Sequence, residues 1–158
     1  MTEGSPLARL AALGLALPPA AAPVANYLPV ARAGSLLFVS GQLPAVAGKV
    51  EPAHRGKLGA EVSLAAGQDA ARLAALNVLA QANAAVGDLA RLRALRLGGF
   101  VNAAPDFSQI PQVVNGASDL FATVLGENGK HARAAVGVAQ LPLDAAVEIE
   151  AVFEILGA

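Results

Sequence analysis

Hydrophobic and polar positions alternate along this chain with two rhythms, and their order sketches a fold. Residues 131–153, HARAAVGVAQLPLDAAVEIEAVF, read as two short apolar strands joined by a Leu141-Pro142 corner. In the second, Glu148 and Glu150 alternate with Val147, Ile149 and Ala151, which puts both carboxylates on one face and the apolar side chains on the other. Residues 28–32 and 36–40 predict a hairpin with a tight turn at Gly34-Ser35. Ser40-Gly41-Gln42 ends that run with small and polar residues, where backbone can approach a ligand closely. Residues 89–101 predict a long strand with a bulge at its two glycines.

The helical rhythm starts at Ser63. Leu73, Leu76, Ala80, Asn83 and Val86 recur every three or four residues and predict the buried stripe, with Gln81 mostly off it and Gly87 as the stop. Asp106-Phe107-Ser108 predicts the opening of a second helix, with Val113, Ala117, Leu120, Phe121 and Val124 as its stripe and Gly126 closing it. Ser5-Pro6 predicts a short amino-terminal helix ending at Gly14, and the Pro/Ala-rich residues 18–23 an extended connector. Residues 45–59 predict a loop with a short strand, its His54, Arg55 and Lys57 solvated. This order defines an α+β fold, a mixed sheet of about six strands with two main helices on one face. Residues 1–23 form the helix and connector, and residues 24–158 the domain.

Composition adds an assembly to this picture. The chain is 55% hydrophobic and 15% charged over 158 residues, with a mean hydropathy of +0.53, so some apolar surface is expected to be buried against another subunit. A net charge of -1 and 4% aromatic residues weigh against nucleic-acid binding. There is no cysteine and there are two histidines, His54 and His131, which excludes thiolate chemistry, disulfides and cysteine- or histidine-rich metal sites. The apolar residues 10–24 look like a secretory signal, but Glu3 stands in what would be its basic region and Gly14, Pro18 and Pro19 interrupt it. We expect a cytoplasmic protein without a membrane span.

One arginine, Arg133, stands among alanines and valines, and an acid follows on the next strand. Such a pair could be an ion pair, or an anchor and a base for a small acidic substrate. A guanidinium matches a carboxylate with two parallel hydrogen bonds and keeps its charge, which suits the second role. His131, two residues away, could exchange protons near neutrality or be a loop histidine near an interface.

Tyr27, Ser40-Gly41-Gln42, Asp106-Phe107, Ala132-Arg133, Leu141-Pro142 and Val147-Glu148-Ile149-Glu150, in this order and spacing, resemble the Rid family, also called YjgF-type or endoribonuclease L-PSP. The amino-terminal helix, Asn26-Tyr27, Asn115-Gly116 and His131-Ala132-Arg133 resemble a longer branch of it. The resemblance implies a chorismate-mutase-like fold and a homotrimer with clefts between subunits. Its best-understood members hydrolyse reactive enamines and imines to a 2-oxo acid and ammonia without a cofactor. Arg133 would then hold the substrate carboxylate and Glu148 would direct water, with Tyr27, Ser40, Gly41, Asn115 and His131 as substrate-binding candidates. Glu150 is expected to be merely solvated or at an interface. Ala25-Asn26 replaces the Gly-Pro of many active deaminases and Ala134-Ala135 their Ser-Cys, so the cleft is less polar. Two other readings stay open, a trimer that binds small carboxylates without catalysis and, more weakly, a ribonuclease or translation inhibitor.

Overall fold

The structure, a computed structural model, describes residues 4–23 and 25–157. Glu3, the domain boundary at Val24 and the last residue, Ala158, lie outside them. Helix α1 (Pro6–Ala12) precedes strands β1 (Val30–Ala33) and β2 (Leu36–Gln42). A ribbon of β3 (Ala45–Val46) and β4 (Lys49–Val50) leads to helix α2 (Leu64–Val86). Strand β5 (Leu92–Asn102), helix α3 (Ile110–Leu125), strand β6 (Ala132–Val138) and strand β7 (Val147–Ile155) follow. The expected sheet of about six strands resolves into a five-stranded sheet, ordered β1-β2-β7-β5-β6, and the separate β3-β4 ribbon. Only β5 and β6 run parallel within the sheet.

The alternation in β7 sets the faces. Val147, Ile149, Ala151, Phe153 and Ile155 are all buried beneath the helices, while Glu148, Glu150 and Glu154 point to the uncovered face. The strands flanking the Leu141-Pro142 corner are not neighbours, because β5 inserts between β6 and β7. The corner sends the chain past β5, a long-range placement that local pattern does not encode.

Caps place the helices where the sequence signals them. Ser5 Oγ accepts the Ala8 N–H and Ser63 Oγ the Ala66 N–H, and Gly87 ends α2 with φ 81°. Arg9 donates to the Val124 carbonyl at 2.8 Å, fastening α1 to the end of α3, and Leu10 is buried in the core. The connector lies on α2, where Gln81 Nε2 donates to the Ala21 carbonyl at 2.7 Å. That bond corrects the expectation that Gln81 lies off the buried stripe. The stripe is in fact much wider, with Ala70, Ala71, Ala74, Ala75, Val78, Leu79 and Ala82 at 0% exposure, because α2 touches the sheet, α3 and the connector at once. Alanines carry too little hydrophobic signal to mark such a face.

Three further expectations shift. Helix α3 starts at Ile110 rather than at residues 106–108, and its first turn has Pro111 but no side-chain cap. Residues 89–91 form a 3-10 turn before β5. The irregularity in β5 falls between Ala94 and Arg96, not at the glycines. Gly98 and Gly99 serve close approach instead, since a Cβ would lie 2.7 Å from the Glu150 side chain at Gly98 and 2.6 Å from Val114 at Gly99. Nor are residues 54–57 simply solvated. Lys57 Nζ donates to Asn102 Oδ1 at 2.7 Å, and the His54 carbonyl accepts the Ala146 N–H.

Gly116 marks the tightest helix crossing, where a Cβ would sit 2.1 Å from the Gln68 carbonyl oxygen of α2. An alanine inside a helix normally gains about 1 kcal/mol over glycine, but overpacking against rigid backbone costs roughly 1–3 kcal/mol. Gly116→Ala is therefore expected to destabilise the protein, and a urea midpoint at or above that of the parent would contradict this crossing.

Candidate functional site

The proposed anchor lies on the helix side of the sheet. Arg133 pairs with Leu97 in the β5-β6 ladder, and Leu97 is fully buried beneath the helices. The guanidinium reaches α3, where Nη1 donates to Ser118 Oγ at 3.1 Å and Nη2 to the Pro111 carbonyl at 3.3 Å. His131 donates from Nδ1 to the Gly129 carbonyl at 2.6 Å, and its Nε2 lies 2.9 Å from Ser118 Oγ. Its ring also stands edge-on to Phe121, centroids 5.7 Å apart. Asn115, Ser118, His131 and Arg133, with Asp119 and Lys130, line a shallow depression of about 360 Å³ at the β6 edge.

Ser118 is the residue that sequence reading missed. It lies seven positions after Pro111 and three after Asn115, so all three share one face of α3. That spacing was a usable signal once Asn115 was under consideration.

Glu148 lies on the opposite, uncovered face. It pairs with Phe100 of β5, three residues beyond Leu97 along the strand and so on its other side. The carboxylate rests over β2 at Gly41, where a Cβ would fall 2.0 Å from Glu148 Oε1. No other residue could occupy position 41 without displacing the acid. Burial, and then the nearby charge of Glu150, raises the Glu148 pKa above its ordinary value. Glu150 lies along the same face, over Gly98. Both acids therefore belong to one electrostatic environment.

Ser40 and Tyr27 lie toward the β1-β2 end. Ser40 Oγ donates to the Leu28 carbonyl at 2.7 Å, tethering the loop that carries Tyr27, and Tyr27 itself is exposed. Ser40, Phe38, Glu150 and Val152 line a shallow recess of about 250 Å³ on the uncovered face. The candidates thus fall into two groups, with Arg133, Asn115 and His131 at the β6-α3 edge and Glu148, Gly41 and Ser40 on the sheet face. The sequence picture of an arginine and an acid on neighbouring strands is corrected, since β5 separates their strands and their side chains leave the sheet on opposite sides.

A cavity of about 600 Å³ lies elsewhere, between the connector, α2 and the β3-β4 ribbon. Among the described residues its lining is apolar apart from Gln42 and Asn77, with no ionisable side chain. Among the described residues, no three His, Cys, Asp or Glu side chains come together as a metal site, and no helix is long and apolar enough to cross a membrane.

Residues 7–155 match the family described as "YjgF/chorismate_mutase-like, putative endoribonuclease". The chain belongs to this YjgF, or Rid, family. It is 48% identical over 157 residues to Protein TCP17 of Trypanosoma cruzi, covering 98% of this chain and 97% of that one. A crystal structure of a protein of unknown function from Agrobacterium tumefaciens is 51% identical and superposes with a TM-score of 0.89, over 95% of this chain and 92% of that one. The fold also resembles TdcF of E. coli, solved with bound serine, at 25% identity and a TM-score of 0.61, over 88% and 93% of the two chains.

Proposed function

We propose that this protein hydrolyses small enamines and imines bearing a carboxylate, in clefts completed by two copies of the chain. The observation that carries this reading is the Glu148 carboxyl, lodged over Gly41 and biased by burial toward taking up a proton. Such a group removes a proton from water more readily than a solvated carboxylate does. Arg133 presents a guanidinium braced by two acceptors, with its other N–H groups left for a substrate carboxylate. That a related fold holds serine, itself a carboxylate, supports this class of ligand.

Arg133 and Glu148 leave one sheet on opposite sides, so a single copy does not bring them to one substrate. Arg133 stands on an edge strand and Glu148 on a face that no helix covers. That face carries Phe38, 43% exposed, and Val136, 45% exposed, alongside Phe100 and Val152. An apolar uncovered face next to an unpaired edge supports assembly of copies, three in the family arrangement, with the edge of one meeting the face of the next.

In this reading Arg133 fixes the carboxylate. An enamine first takes a proton from solvent at its terminal carbon and releases one from nitrogen to become the imine. Glu148 then removes a proton from water as the oxygen bonds to the imine carbon. That proton passes to nitrogen to give a carbinolamine; Glu148 then takes the proton of its hydroxyl and delivers it to nitrogen as the C–N bond breaks, leaving a 2-oxo acid and ammonia. No cofactor is required by these steps.

The family description names an endoribonuclease. Here the candidate site contains a single histidine with both ring nitrogens engaged, and the chain carries a net charge of -1, which favours the small-molecule reading. The direct test supplies imines made in place by an amino-acid oxidase, with small to bulky side chains. Faster release of 2-oxo acid and ammonia is expected. No acceleration with any imine would overturn the proposal and favour a carboxylate-binding protein, since the arginine half of the site is preformed without Glu148.

A further inference from the structure

We infer that Ser118 is the positioning residue of the Arg133 anchor, a role that rests on the carboxylate-binding reading of Arg133. With the His131 ring neutral, the hydrogen bonds admit one consistent assignment. The Gly129 carbonyl can only accept, so His131 Nδ1 carries a proton. In the neutral ring Nε2 is then an acceptor, and the group facing it is the Ser118 hydroxyl, which must donate. With its hydrogen committed to His131, the Ser118 oxygen offers lone pairs alone, and Arg133 Nη1 donates into one of them. In that neutral form the direction of every bond from Gly129 to the guanidinium is set by a carbonyl that cannot reverse.

The fold holds this carbonyl in place. A Cβ at Gly129 would lie 2.0 Å from the Phe121 carbonyl oxygen, so the loop presses against the α3 backbone as only glycine allows. Phe121 packs edge-on against the imidazole and limits its tilt. Ser118 is thus set between a clamped imidazole and a guanidinium whose second amino group is held by Pro111. A free arginine side chain samples many rotamers, and ordering it on binding costs affinity. The hydroxyl removes that cost before substrate arrives. His131 acts here as an orienting group behind the anchor, with no nitrogen left to protonate a leaving amine.

The test compares the parent with Ser118→Ala, Ser118→Thr and Arg133→Ala in the imine assay, alongside calorimetric titration with serine. Ser118→Ala is expected to raise KM about tenfold with kcat within about threefold, the loss of one hydrogen bond to a charged group. Ser118→Thr, which keeps the hydroxyl, should return KM to within about threefold of the parent. Nitrogen-15 spectra of His131 should show a protonated Nδ1 in the parent and both Ser118 variants, with the Nε2 resonance moving only in the alanine variant, where its hydrogen bond from Ser118 is lost. If Arg133→Ala abolishes serine binding while Ser118→Ala matches the parent in KM and in the His131 Nε2 resonance, the positioning role is wrong and the anchor stands. If Arg133→Ala binds and turns over like the parent, the carboxylate reading itself fails. Equal losses in KM, kcat and thermal midpoint for both Ser118 variants would mark a merely structural serine and also overturn the inference.

Discussion

Replacing Arg133 with alanine is expected to lower kcat/KM for imine hydrolysis about a hundredfold or more, leaving the fold intact. The guanidinium is braced by α3 at the depression, which Lys130 also lines, and a carboxylate left without its two parallel bonds loses both orientation and charge pairing. The stability cost is small by comparison. Arg133 is half-buried and gives up two hydrogen bonds of ordinary length, worth about 1 kcal/mol each. Lysine is not expected to rescue, because an ammonium offers a point charge without the fork. Kinetics, with circular dichroism and light scattering on the same samples, check this result. A variant that keeps its turnover, or loses it only through unfolding, would contradict it.

Glu148→Gln is expected to remove about two to four orders of magnitude from kcat, because an amide cannot accept the proton of attacking water. Its companion signature is in pH. Activity of the parent should rise as pH climbs through a carboxyl pKa above the ordinary value of 4.5, and the glutamine variant should show no such step. Stability should move the other way. A raised folded-state pKa means that the folded protein binds more protons than the unfolded chain between the two pKa values. The stabilisation Glu148 contributes is therefore fully present at low pH and is lost as pH rises through the raised value. Denaturant titrations of parent and variant across that window should diverge, with the parent relatively weaker at the upper end. Parallel curves would mean that Glu148 is an ordinary solvated acid.

Much of this fold was legible in the sequence because its signals are local. The alternation in residues 147–151 gives the two faces of β7, and Ser5, Ser63, Gly87 and Gly126 mark helix ends where they fall. Non-local features were not legible. The insertion of β5 between the last two strands separates Arg133 from Glu148, and no spacing along the chain reports it. Gly98, Gly99 and Gly116 carry no label that tells a bulge from a close approach; that depends on Glu150, Val114 and Gln68, contributed by other elements. Of the candidate site, Arg133, Glu148 and Gly41 were singled out by their motifs, and the roles proposed for them rest on those motifs. Ser118 had only its spacing from Asn115 to mark it, as a lone serine within a helix resembles any solvated one. Its meaning comes from His131 and Arg133 converging on it from β6 and the loop before it.

If one copy supplies the arginine and another the acid, mixing two inactive variants should restore activity. Arg133→Ala and Glu148→Gln chains, purified separately, should each be inactive toward imines. After exchange of subunits in equal amounts, about a quarter of the clefts in a closed ring should combine an intact Arg133 with an intact Glu148, and about a quarter of parental activity should return. A mixture that exchanges subunits yet stays as inactive as its components, while the parent is active, would show that no cleft draws on two copies.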